Sequence, residues 1–134
     1  KKFSYTYMDD RDLIHFIKMV RDGISFTVFF NFAKSTPFSL AEWSGFLNMS
    51  ERTMQRHKLE KKTFGPIYSE KILQIALLYN MGIEVFGDRE KFNAWLDTSN
   101  LGLGGLKPKE MLDNSFGIGL IKDELTRIEH GVLA

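Results

Sequence analysis

The sequence predicts an all-α protein, and three observations carry that prediction. Apolar residues recur at spacings of three and four along most of the chain. Capping residues stand where the periodic runs begin, and glycine or proline stands where they end. No stretch sustains the alternation of apolar and polar side chains that a half-buried strand requires. The phenylalanine-rich run Phe26 to Phe32 is the best strand candidate, but its flanks favour a helix.

The elements follow in order. Asp9 or Asp10 caps a first helix with apolar positions Leu13, Ile14, Ile17 and Val20, closed by Gly23. Ser25 caps a second through Phe26, Phe29, Phe30 and Ala33, stopped by Thr36-Pro37. Ser39-x-x-Glu42 is a capping box opening a short third helix, Leu40 to Leu47. Ser50 caps a fourth, Glu51 to about Leu59. Gly65-Pro66 breaks the chain, and Ser69 starts a long helix to about Phe86, closed by Gly87. Asp88 caps the next, with Phe92, Trp95 and Leu96 on one face. Ser99 to Lys107 reads as a glycine-rich loop. Pro108 suits the first position of a short helix. A last helix runs from about Gly119 to His130, ended by Gly131. The seam near Lys62 to Pro66 divides the chain into 1–66 and 67–134. The seam is short, so the halves are expected to pack on each other.

Composition narrows the function. The chain has 134 residues, enough for one domain or two small ones. Cysteine is absent, which rules out disulfides and thiolate zinc sites and fits a reducing cytoplasm. No apolar run approaches the roughly 18 residues that span a bilayer, so no membrane partner is expected. His15, His57 and His130 are scattered, so no metal site is expected. No nucleophile has an evident base, so neither an enzyme nor a cofactor is expected. The net charge of +1 implies no polyanionic partner by itself.

Charge placement says more. Between Ser50 and Lys62, five basic residues outnumber two glutamates, an excess larger than the net charge of the whole chain. A short helix, the turn Asn48-Met49-Ser50 and this basic helix form a helix-turn-helix pattern. Arg52 and Arg56 share a helical face with Gln55 beside them. Arginine reads guanine and glutamine reads adenine through paired hydrogen bonds. Ser50 and Thr53 are placed for phosphates near the helix N-terminus, and Lys58, Lys61 and Lys62 for the backbone beyond. The same run also fits a solvated basic face.

The last 43 residues hold an unusual string. It reads Phe92, Trp95-Leu96, Asn100, Leu103-Gly104-Gly105, Pro108, Leu112, Gly117 and finally Leu125 to Gly131, LTRIEHG. Gly105 is followed by Leu106-Lys107, so the loop lacks the Gly-Lys-Ser/Thr ending of a Walker phosphate cradle. Trp95 also fits a core position. Arg127 can pair with Asp123 four residues earlier, and His130 can complement the helix dipole.

In these residues the chain resembles the toxin-binding domain of the Xre/MbcA/ParS family, the antitoxin halves of bacterial toxin–antitoxin pairs. The resemblance covers about Tyr68 to Ala134 well and the N-terminal half more weakly. There it rests on S-x-R-T-x-x-R from Ser50 and on Ala41 and Gly45 in the preceding helix. The resemblance implies an antitoxin that occludes the active site of a cognate toxin, most often a RES-domain toxin that consumes NAD. It also implies repression of its own operon through the helix-turn-helix and, with it, a homodimer. The toxin-binding residues would be Trp95, Asn100, Leu103, Gly104, Lys107, Pro108, Arg127, Ile128, Glu129, His130 and Gly131, with the tail Val132-Leu133-Ala134. The alternative is a plain helix-turn-helix regulator whose C-terminal half only dimerises it.

Overall fold

The computed structural model describes residues 10–131. The fold is all-α, as the periodicity and caps imply. Its helices are α1 (Asp10–Asp22), α2 (Phe26–Ala33), α3 (Leu40–Phe46), α4 (Glu51–Glu60), α5 (Pro66–Phe86), α6 (Arg89–Leu96) and α7 (Ser115–Glu129), with 3-10 turns at Leu101–Leu103 and Pro108–Met111. The phenylalanine run is α2, and its Ser25 cap accepts from the Val28 amide at 3.2 Å. The capping box of α3 is complete: Glu42 N donates to Ser39 Oγ at 3.1 Å and Ser39 N to the Glu42 carboxylate at 3.0 Å. The alternative cap Asp9 lies outside the described residues.

Two helices start earlier than the sequence implies. The Gly65-Pro66 break is itself the start of α5, because proline at the first position gives up an amide that has no helical partner. Ser69, expected to start the helix, is instead fully buried one turn in. Its hydroxyl accepts from Ile24 N at 2.8 Å and donates to Phe64 O at 3.1 Å. In α7 the glycines at 117 and 119 disguise the first turn. Asn114 caps it, accepting from Gly117 N at 2.8 Å. Gly117 is needed there for close approach, since a Cβ would lie 2.0 Å from the Met111 carbonyl oxygen.

The chain forms two compact units that divide between Ala76 and Leu77, inside α5. The first, over described residues 10–76, has an aromatic core. Phe29 meets Trp43 and Phe64 edge to face, each at 5.1 Å, and Phe38 meets Phe46 at 5.0 Å. Such pairs add directional attraction to area burial. An isolated antiparallel bridge between Ser25 and Thr63 closes the segment holding α2, α3 and α4. The second unit, 77–131, packs Leu78, Met81, Phe92, Leu96, Leu103, Leu112, Ile121 and Leu125 inward. A Cβ on Gly82 would stand 2.0 Å from the Phe92 ring, so α5 and α6 touch where no side chain fits.

The first helix departs from expectation. Its apolar repeat does not all face the core: Ile14 is 66% exposed, Ile17 50% and Leu13 45%, while Phe16 and Asp12 are buried.

Candidate functional site

The basic helix is presented by a tight turn. Asn48 adopts the left-handed conformation at φ 57°, and Met49 N reaches back to Ser44 O at 3.0 Å. Ser50 caps α4 by accepting from Thr53 N at 3.0 Å, and its hydroxyl donates to Thr53 Oγ1 at 2.9 Å. Both hydroxyls therefore serve the cap first. Met54 is buried and anchors the helix. His57 lies on the same inward side, its ring stacked on Phe64 at 4.7 Å and its Nδ1 3.0 Å from Thr53 O.

With that side fixed, Arg52, Gln55, Arg56 and Lys58 are exposed. Arg52, Arg56, Lys58 and Lys61 make no ion pair with any described residue. Lys61 takes the left-handed C-cap position at φ 50°, and Lys62 pairs with Glu60 at 3.4 Å. An ion pair that exposed contributes little and yields readily to a phosphate. The arrangement is thus a set of uncommitted cations on a rigid helix.

The second constellation is a closed loop. Asn100 N donates to Leu106 O at 3.0 Å, and Gly105 N donates back to Asn100 O at 2.9 Å. Asn100 Oδ1 accepts from Gly102 N at 2.8 Å. Gly104 and Gly105 turn the chain at φ 73° and 82°, a region that strains any residue with a Cβ. Leu103 and Pro108 are buried and hold the loop down. Asn100 is half-buried, Gly104 is exposed, and Lys107 is half-buried with its ammonium on Asp97 at 3.3 Å. Lys109 also meets Asp97, at 3.1 Å, and the two ammonium groups of Lys109 and Lys107 hold its carboxyl below the usual 3.8.

Beneath the loop lies a buried carboxylate. Glu124 of α7 is 2% exposed and would be 3.5 Å from a Cβ on Gly102. Arg127 pairs with it, Nε at 3.1 Å and Nη2 closer. Asp123, the partner expected four residues before Arg127, is not the one used. Asp123 faces solvent, and the buried Glu124 gains more from a guanidinium because burial has stripped its water. Ile128 is half-buried, and Glu129, His130 and Gly131 are exposed at the helix end. Val132, Leu133 and Ala134 lie outside the described residues. Trp95 is half-buried, stacked on Phe92 at 5.9 Å, so it supports the unit and shows an edge.

Sequence reasoning missed the exposed apolar residues here. Leu101 is 95% exposed and Phe116 87%, with Leu106 and Leu120 half-exposed. Phe116 and Leu120 share one face of α7. The signal was available: Leu101 and Leu106 flank the glycines, and Phe116 precedes Gly117. Exposed apolar side chains on this loop and on α7 suit capture of another protein better than chemistry.

Each half of the chain matches a known protein family. Residues 15–77 match the antitoxin Xre-like helix-turn-helix domain, and residues 81–131 match the antitoxin Xre/MbcA/ParS C-terminal toxin-binding domain. The chain is 30% identical over 84 residues to antitoxin Xre of Yersinia enterocolitica serotype O:8 / biotype 1B, covering 62% of this chain and 57% of that protein. It is 23% identical over 121 residues to antitoxin Xre of Photorhabdus laumondii subsp. laumondii, covering 90% of this chain and 82% of that protein.

Proposed function

We propose that this chain, which belongs to the Xre/MbcA/ParS-type antitoxin family, neutralises a cognate toxin by covering its active site with the 77–131 unit. The toxin of choice is a RES-type enzyme that consumes NAD. The observation that carries this reading is the set of exposed apolar side chains, Leu101, Leu106, Phe116 and Leu120, within residues 81–131. A loop already closed by Asn100 loses little entropy on docking, so more of its contact area becomes affinity. The exposed helix end from Arg127 to Gly131 supplies the polar margin. The antitoxin acts by occupying a cleft and needs no cofactor. Among the described residues no helix is long and apolar enough to cross a membrane.

The same chain represses its own operon. Arg52, Gln55 and Arg56 read base edges while Lys58, Lys61 and Lys62 hold phosphates. Two copies act together, since helix-turn-helix proteins meet two half-sites with two-fold symmetry.

The test is an NAD-consumption assay with the toxin encoded beside this gene, titrated with the full chain. Wild type should inhibit fully. Leu101→Asp and Phe116→Asp should inhibit poorly while keeping their far-UV circular dichroism, since both positions are exposed. Full inhibition by both variants would move the interface elsewhere. A neighbouring product that neither co-purifies with the chain nor is inhibited by it would sink the antitoxin reading.

A further inference from the structure

The outer face of α1 has no partner among the described residues, yet its chemistry is not that of a solvated surface. At 3.6 residues per turn, Asp10, Ile14, Ile17 and Arg21 fall within roughly a 60° arc, almost opposite buried Asp12. On that arc Ile14 is 66% exposed and Ile17 50%. Asp10 and Arg21 close the stripe at its two ends, about 16 Å apart along the axis, and neither pairs with a described residue. A groove of about 400 Å³ runs beside the stripe, lined by Leu13, Ile17 and Val20 of α1 and by Glu70 and Gln74 of α5.

We propose that this face is the homodimer interface, with α1 of one protomer lying antiparallel to α1 of its partner. The proposal rests on the reading above that two copies act together. What it adds is the surface and its register. An opposite charge at each end of an apolar pair makes the stripe complementary to itself. Turned end for end, Asp10 meets the partner's Arg21, Ile14 meets the partner's Ile17, and both contacts repeat by symmetry. This is the isologous arrangement that a two-fold axis requires. A parallel pairing would set Asp10 against the partner's Asp10 and Arg21 against the partner's Arg21, so the charges select the antiparallel one. Val20 and the groove then receive the flank of the partner's helix.

The charges make the test unusually discriminating. In the Asp10→Arg homodimer both ends carry two arginines, and in the Arg21→Asp homodimer both carry two aspartates. Each variant should dimerise at least tenfold more weakly than wild type, read by sedimentation equilibrium on the full chain. Mixed in equal amounts, the two should form a heterodimer of near wild-type affinity, because every end then joins an arginine to an aspartate. Ile14→Lys should be monomeric with unchanged circular dichroism.

Failure of the mixture to restore dimers would overturn the register. A wild-type dimer undisturbed by Ile14→Lys would overturn the surface and leave the dimer reading standing. A wild type that stays monomeric at every concentration would overturn both. If Ile14→Lys weakened toxin inhibition with dimers intact, the face would belong to the toxin and the proposal would fall.

Discussion

The basic helix and the glycine loop solve opposite problems. On α4 the backbone is regular, and the proposed DNA-reading groups stand on it as long side chains around the buried anchor Met54. In the 100–106 loop the backbone itself is the device, tied end to end by Asn100, with Glu124 beneath it and apolar side chains at its rim. The first surface is proposed to meet DNA, a polymer of fixed charge and repeating geometry, for which flexible cations suffice. The second is proposed to fill one particular cleft, where fit counts and flexibility costs affinity. The difference teaches that the two surfaces should fail differently. Side-chain truncation should disable α4 without touching the fold, whereas the loop should be vulnerable through its supports.

The largest separation is expected from Arg52→Ala combined with Arg56→Ala. Loss of both proposed base-reading groups should weaken binding to the operon's own promoter by about 2–6 kcal/mol, from about 1–3 for each. Thermal stability and toxin inhibition should stay near wild type. Unchanged promoter affinity in an electrophoretic shift assay would remove α4 as the reader. Lys58→Ala makes the companion variant, weakening all sequences alike and lowering the salt slope by about one.

Next comes Gly82→Ala. The added methyl meets the Phe92 ring, and overpacking of this kind costs about 1–3 kcal/mol. Calorimetry should show a lowered Tm and the NAD assay a loss of inhibition. Promoter binding measured well below the transition should persist. An unaltered Tm would mean that α6 moves aside without cost.

Arg127→Glu should cost about 2 kcal/mol of stability, since it leaves buried Glu124 without its guanidinium and adds a like charge. Arg127→Lys should recover part of that. Charge reversal here therefore tests support and contact together. The exposed neighbour Glu129→Lys is the cleaner probe of contact. A stable Arg127→Glu protein that still inhibits would show that Glu124 draws its compensation from elsewhere.

The smallest effect concerns acid. The carboxyl of Asp97 is held below its usual value by Lys109 and Lys107, so its contribution is fully present above about pH 4. It is lost as pH falls through the lowered folded value. Asp97→Asn should flatten that acid limb slightly and leave neutral pH nearly unchanged. An acid limb identical to wild type would show that the lysines pair with it only weakly in solution.

What could be read from the chain follows the same contrast. Ser25, Ser39, Ser50 and Asp88 are local caps whose partners lie within three residues, so sequence spacing exposes them. The face of α4 is equally legible, because a regular helix converts spacing into direction. Ser69 is not: its partners are Ile24, 45 residues away, and Phe64, and nothing local marks it as buried. The choice of Glu124 over Asp123 by Arg127 depends on which carboxylate the fold buries, which spacing alone does not fix. The outward turn of Leu13, Ile14 and Ile17 escaped the periodicity for the same reason. An apolar stripe signals a buried face without saying what buries it.

The knot of bonds around Ser69 has a consequence for motion. Phe64 N to Ile24 O, Phe26 N to Lys62 O and the Ser69 hydroxyl join the two ends of the segment that carries α2, α3 and α4. That segment is a covered excursion, latched at its base. Its own aromatic core lies inside, and it opens only when the latch releases. The amides of Ile24, Phe26 and Phe64 should therefore exchange with solvent deuterium together, at the rate of the whole excursion, while the amides of the 49–53 turn exchange sooner by local fraying. An operator bound to α4 would slow the turn first, and would slow the latch only by the amount it stabilises the entire segment.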